Sequence, residues 1–232
     1  DGQRAAPGAR AATSDLELED YEKSFAKRTI YTGQRVDDPH SQARLYRRVL
    51  GDAWHGLPEP IRRMHELNGA MHAEGVARVE RGRSPLSALA AWLFGFPKAE
   101  ERMPLRVSFM PRGERETWVR NFDGRIMKSV LSLGEGRSDR LLCERFGPLT
   151  FSFALVADAG RLTMVLKRWS ILGMAAPLWL APWSHASESA ENDAFNFKIE
   201  IGHWLTGLIV RYHGFLIMMP PSDGASKGDA WT

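Results

Sequence analysis

The stretch Trp118-Val119-Arg120-Asn121-Phe122 holds the residues best placed for chemistry. At the two-residue period of a β-strand, Trp118, Arg120 and Phe122 share one face. A guanidinium between two large aromatic rings is costly on a dry face unless something pairs with it. It becomes useful if that face lines a cavity, because its planar fork fits a carboxylate or phosphate. On a wet face it would only stack on its neighbours. Arg145 beside Phe146, Arg168 beside Trp169 and Arg211 beside Tyr212 pose the same choice. The segment from Gly173 to Trp183 joins two expected strands, yet it is strongly apolar and contains Trp179 and Trp183. Surface connections are normally polar. This one reads either as a cap on the core or as a portal over a hydrophobic ligand, with peripheral membrane contact as an extension, since tryptophan suits a bilayer interface. The candidate ligand-binding set is Trp118, Arg120, Phe122, Trp179, Trp183, Arg145 and Tyr212. A catalytic alternative would use Arg120, Glu144 and His213.

Other motifs carry less. His65-Glu66 opens like a zinc-protease helix, but the next histidine is His72, so the required i, i+4 pair is absent. Gly134-Glu135-Gly136 lacks a third glycine and falls in a turn, so it is no dinucleotide fingerprint. Asp15, Glu17, Glu19 and Asp20 read as a solvated acidic stretch. The single cysteine, Cys143, rules out an internal disulfide and reads as a small core residue, which fits a reducing, cytoplasmic setting. These readings imply no metal, no cofactor and no catalytic motif.

The elements that must position these residues follow from hydropathy. Leu149-Thr150-Phe151-Ser152-Phe153-Ala154-Leu155 and Phe195-Asn196-Phe197-Lys198-Ile199-Glu200-Ile201 alternate as half-buried strands do. Phe151, Phe153, Leu155, Phe195, Phe197, Ile199 and Ile201 are expected inside. Further strands are expected at about 70–81, 104–111, 115–122, 125–133, 139–146, 161–171, 184–191 and 206–218, split by turns such as Asp123-Gly124 and Asp158-Ala159-Gly160. Helices are expected from Ser41 to Leu50, after Pro58 and Pro60, and from Pro85 to Phe96; the last is apolar nearly all round, so it is buried or touches something greasy. The fold class is α+β: a predominantly antiparallel β-meander of about ten strands, strongly curved or closed into a calycin-like barrel, with two or three N-terminal helices. Residues 1–38 read as disordered or linker, 39–219 as one domain, and 220–232 as a flexible tail.

Bulk properties narrow the partners. A net charge of +3, from 31 basic and 28 acidic residues scattered along the chain, does not make a nucleic-acid groove. No run reaches the roughly 18 apolar residues of a membrane-spanning helix. The chain begins at Asp1, which reads as the start of a fragment or processed product.

From Leu45-Tyr46-Arg47-Arg48-Val49-Leu50 onward, a set of short elements carries a resemblance. They are Leu57-Pro58, Asn121-Phe122-Asp123-Gly124, Glu144-Arg145-Phe146-Gly147-Pro148, Phe151-Ser152-Phe153, Trp169, Leu172-Gly173, Gly207-Leu208 and Val210-Arg211-Tyr212-His213-Gly214. Over residues 42–217 the chain resembles the bacterial domain of unknown function 4166. That resemblance implies a domain found alone or behind a dehydrogenase- or epimerase-like NAD-binding domain, which would act upstream or in trans. It implies no activity.

Three functions remain in view. The first is a non-catalytic module binding a hydrophobic or amphipathic, lipid-like small molecule in a β-cavity. The second is an accessory domain with a packed interior, since eight tryptophans and eleven phenylalanines can fill a barrel unaided. The third is an enzyme of unknown reaction.

Overall fold

The computed structural model describes residues 45–219. The expectations for 1–38, 39–44 and 220–232 lie outside them. Two helices come first, α1 (Leu45–Leu50) and α2 (Glu59–His65), joined by a 3-10 turn at Gly51–Gly56. Strand β1 (Met71–Arg81) leads to helix α3 (Pro85–Leu93). A meander follows: β2 (Glu100–Arg112), β3 (Arg115–Phe122), β4 (Arg125–Leu133), β5 (Leu142–Phe146), β6 (Leu149–Asp158), β7 (Arg161–Ile171), β8 (Met174–Ala176), β9 (Trp183–Glu191), β10 (Ala194–His203) and β11 (Gly207–Met218).

All pairings are antiparallel, in the order β6-β5-β4-β3-β2-β1-β11-β10-β9-β7-β8, and β6 also pairs with β7. That last pairing closes ten strands into a barrel. The short β8 is an addition that pairs with the end of β7, at Trp169–Ile171, while β9 pairs with its beginning. Sequence periodicity missed β8, because three residues are too few to show an alternation. Strand β2 starts four residues before its expected start. Pro104 precedes the first β3 partner, Leu105, so its missing N–H is tolerated there.

The seam between β1 and β11 joins the two ends of the meander, with Ala73 opposite Met218 and Arg81 opposite Val210. Two glycines permit it. A Cβ on Gly75 would run into the Phe215 carbonyl, and one on Gly214 into the Val76 carbonyl. The backbones approach here more closely than any side chain allows.

The ends of the barrel differ. Helices α1 and α2 cover one, the capped end. Leu45, Tyr46, Val49 and Leu50 of α1 and Ile61 and Met64 of α2 are all buried in the core. Pro58 sits over the β6–β7 turn at Gly160, and Arg48 pairs at 2.8 Å with Glu114 in the β2–β3 turn. Helix α3 lies at the opposite, rim end. Ser84 caps it: its Oγ accepts from the Ser87 N–H at 3.0 Å and donates to the Thr206 carbonyl at 2.8 Å, tying the helix to the β10–β11 turn. Only Ser87 and Ala91 of α3 are buried; Leu86, Leu89, Trp92 and Leu93 face outward. No helix among the described residues is long and apolar enough to cross a membrane.

Inside the barrel, Phe195 and Phe197 are buried and Ile199 and Ile201 partly so, while Asn196, Lys198 and Glu200 alternate to the outer face. On β6, Phe151 and Phe153 lie with their ring centroids 6.3 Å apart and Leu155 joins the core. Cys143 is buried on β5, with Sγ 3.2 Å from the Ser152 hydroxyl; burial pushes its thiol pKa up.

Candidate functional site

Alternation along β3 turns Glu116, Trp118, Arg120 and Phe122 to the interior, where the last three line a cavity of about 140 Å³. The space exists because side-chain sizes are unequal around the barrel. Strand β9 lines it with the small Ser184, Ala186 and Ser187 and with Glu188, where β3, β10 and β11 contribute Trp118, Phe122, Phe195, Phe197 and Tyr212. The lining is buried toward the capped end, at Tyr46, Met64 and Leu216. It is half-exposed toward the rim end, at Phe146, Phe151, Pro182 and Ser184.

Arg120 has protein partners. One guanidinium nitrogen donates to Ser129 Oγ at 2.8 Å and another to Glu144 Oε1 at 3.0 Å, while Ser129 Oγ donates to the same carboxylate oxygen at 2.7 Å. Its guanidinium carbon stands 5.1 Å from the Trp118 ring centroid and 6.0 Å from that of Phe146. Burial, the largest single influence, would lower the Arg120 pKa, but the Glu144 carboxylate together with Tyr212 and Tyr46 outweighs it, so the net direction is upward. Its charge is therefore locked on and matched within the wall.

Deeper in the barrel lies a second polar group. His65 Nε2 meets Glu188 Oε2 at 2.7 Å, with the imidazole wholly buried. Tyr46 stacks on that imidazole, with ring centroids 3.6 Å apart and planes 17° from parallel. Trp118 Nε1 donates to Glu116 Oε2 at 3.1 Å. The Tyr46 hydroxyl is buried and has no hydrogen-bond partner among the described residues. Burial raises its pKa well above the ordinary phenol value, and Glu188, Glu144 and Glu116 raise it further. Tyr46 is thus a neutral O–H donor on the cavity wall with its proton unused. Burial likewise pushes the Tyr212 phenol up to about 12.

The structure brings four of the sequence candidates together on this wall: Trp118, Arg120, Phe122 and Tyr212. The other three stand elsewhere. Arg145 is exposed on β5, Trp179 is 69 % exposed in the β8–β9 connection, and Trp183 is 36 % exposed at the start of β9, opposite Gly202. His213 does not line the cavity. Sequence reasoning missed Tyr46, His65, Glu116 and Glu188. Glu116 was within reach, since it stands two residues before Trp118 on the same strand face. No ligand-type cluster of three or more His, Cys, Asp or Glu residues occurs among the described residues.

A family model described as "Domain of unknown function (DUF4166)" matches residues 57–216. No curated protein matches the chain. Among solved structures, the crystal structure of Rv2717c from M. tuberculosis is similar at 12 % identity, covering 71 % of this chain and 99 % of that one, with a TM-score of 0.38.

Proposed function

We propose that this chain, which belongs to the DUF4166 family, is a non-catalytic binding module for a small, mostly apolar molecule with one polar end. A single observation carries the reading: an aromatic-lined cavity whose wall holds a buried, unpartnered donor, the Tyr46 hydroxyl. A ligand oxygen there would satisfy it. Arg120 is already matched by Glu144, and Glu116, Glu144 and Glu188 crowd the same region, so a neutral carbonyl or hydroxyl suits the site better than an anion. The volume also bounds the ligand. A comparable apolar cavity of about 150 Å³ accommodates benzene, so the cavity as it stands fits a single ring rather than a full acyl chain.

The arrangement favours binding over catalysis. Glu188 is paired with His65 at 2.7 Å, Glu144 with Arg120 at 3.0 Å, and Glu116 accepts from the Trp118 indole at 3.1 Å, while His65 does not line the cavity. The accessory-domain reading draws on a different observation, the dense aromatic packing that fills the rest of the barrel.

The test is fluorine NMR of 4-fluorophenol, fluorobenzene and 4-fluorobenzoate with the full chain. The phenol is expected to bind saturably and to weaken about tenfold with Tyr46→Phe, or roughly 1.4 kcal/mol. The benzoate should bind worst, and Ser184→Leu should abolish binding by filling the cavity. Failure of all three probes, or binding indifferent to Ser184→Leu, would overturn the proposal.

A further inference from the structure

The geometry points to the rim end of the barrel as a docking surface for an anionic lipid bilayer. Helix α3 is the first observation. It packs through its small residues Ser87 and Ala91 and turns Leu86, Leu89, Trp92 and Leu93 outward, the reverse of a helix that serves a core. Its neighbour through the Ser84–Thr206 hydrogen bond is the β10–β11 turn, which exposes Trp204 and Leu205. Next around the sheet, the β7–β8 turn, the start of β8 and the β8–β9 connection expose Leu172, Met174, Leu178 and Trp179. Trp92, Trp179 and Trp204 are 71 %, 69 % and 65 % exposed. An apolar crown gathered at one end of a barrel is more than scattered surface hydrophobes.

Two further features of this surface match an anionic bilayer. Tryptophan is the side chain that best suits the headgroup layer, with an apolar body and one N–H donor. The crown is also flanked by exposed cations. Arg83 and Lys98 lie on either side of α3, Arg125 opens β4 beside the β3–β4 turn, and Arg145 stands next to the β5–β6 turn. The acids at this end include Asp123, Glu80, Glu100 and Glu101; Glu80 is engaged by Arg211 and Glu101 by Arg78, each at 3.0 Å. Greasy side chains flanked by an excess of cations fit anionic headgroups over acyl chains. A protein partner would give no reason for that combination of exposed tryptophan and flanking cations.

The half-exposed part of the cavity lining faces this same end, so a docked barrel would present its cavity to the membrane. The docking itself does not depend on the cavity reading, and the two can fail separately. The experiment is co-sedimentation of the full chain with phosphatidylcholine vesicles, with and without about 30 % phosphatidylglycerol, at low and high salt. Binding is expected only with the anionic vesicles and should fall with salt. Arg83→Ala with Lys98→Ala should weaken it roughly thirtyfold, from about 1 kcal/mol per cation. Trp92→Ser with Trp204→Ser should abolish it. Both pairs sit on the surface, so their melting temperatures and 4-fluorophenol binding should match wild type. No binding of wild type to anionic vesicles, or equal binding by the tryptophan variant, overturns the inference. So does a concentration-dependent dimer that the tryptophan changes dissolve without any vesicle binding, because a second copy would then be the occupant.

Discussion

His65 Nε2 and Glu188 Oε2, 123 positions apart in the chain, meet at 2.7 Å inside the barrel. The contact ties α2 in the capped end to β9 in the wall. Removing one member of a buried pair leaves the other uncompensated, at about 3–5 kcal/mol. Glu188→Ala should therefore lose about that much in urea denaturation, and Glu188→Gln, which keeps an acceptor, should lose less. A loss below about 1 kcal/mol for Glu188→Ala would show that the pair does not hold the cap.

Arg120 and Glu144 should behave as a unit. Arg120→Met alone strands the carboxylate and should cost several kcal/mol, about the figure for any broken buried pair. Adding Glu144→Leu removes the stranded charge and should restore most of the loss. A double-mutant cycle by chemical denaturation checks this, and simple additivity of the two losses would mean that the groups are not coupled.

Phe197 packs edge-on to Tyr212, with centroids 6.2 Å apart, and borders the cavity. A Phe→Ala truncation in a filled core costs about 3–5 kcal/mol, and a neighbouring void places Phe197→Ala near the lower figure. The enlarged cavity should also accept a two-ring probe such as 2-naphthol, monitored by its fluorescence. A loss under about 1 kcal/mol would mean that the β10 inner face is solvated.

Alkaline pH should weaken the fold in a defined window. The Tyr212 phenol is raised to about 12 by burial, and Tyr46 is raised as well. A phenol in the unfolded chain ionises near pH 10. Between about pH 10 and 12 the unfolded chain sheds protons that the folded chain keeps, so stability falls as pH rises. Tyr212 alone should contribute on the order of 3 kcal/mol across that window and no slope below it. Urea midpoints at about pH 8 and 11 check the sign. Tyr212→Phe should flatten the decline, and an unchanged slope would exclude Tyr212 as its source.

The meander was legible because its turns are chemically explicit. Asp123 and Gly124 both take positive φ, at 47° and 86°, as the Asp-Gly signal requires. Phe195 to Ile201 showed its faces because Asn, Lys and Glu mark the wet one. Strand β9 gave no such contrast. Ser184, Ala186 and Glu188 point inward, but His185 and Ser187 alternate with them, so neither face stood out by hydropathy. Its partnership with His65 depends on closure of the barrel, which no local window contains. Helix α3 was read as buried or touching something greasy, and a one-dimensional pattern could not choose between these. The sizes of Ser87 and Ala91 decided which face packs. The cavity was invisible for a related reason, because it arises from unequal side-chain volumes brought together from different strands.

The seam at Gly75 and Gly214 also sets an order of events at synthesis. The partner that β1 needs on its second edge is β11, which leaves the ribosome after the other ten strands of the sheet. Until then the nascent chain carries two unpaired strand edges, on β1 and on the newest strand, and such edges recruit other chains. Slow translation or truncation before Met218 should thus lead to aggregates before it leads to a weakened barrel. Residues at the seam would then show their importance in soluble yield more than in melting temperature.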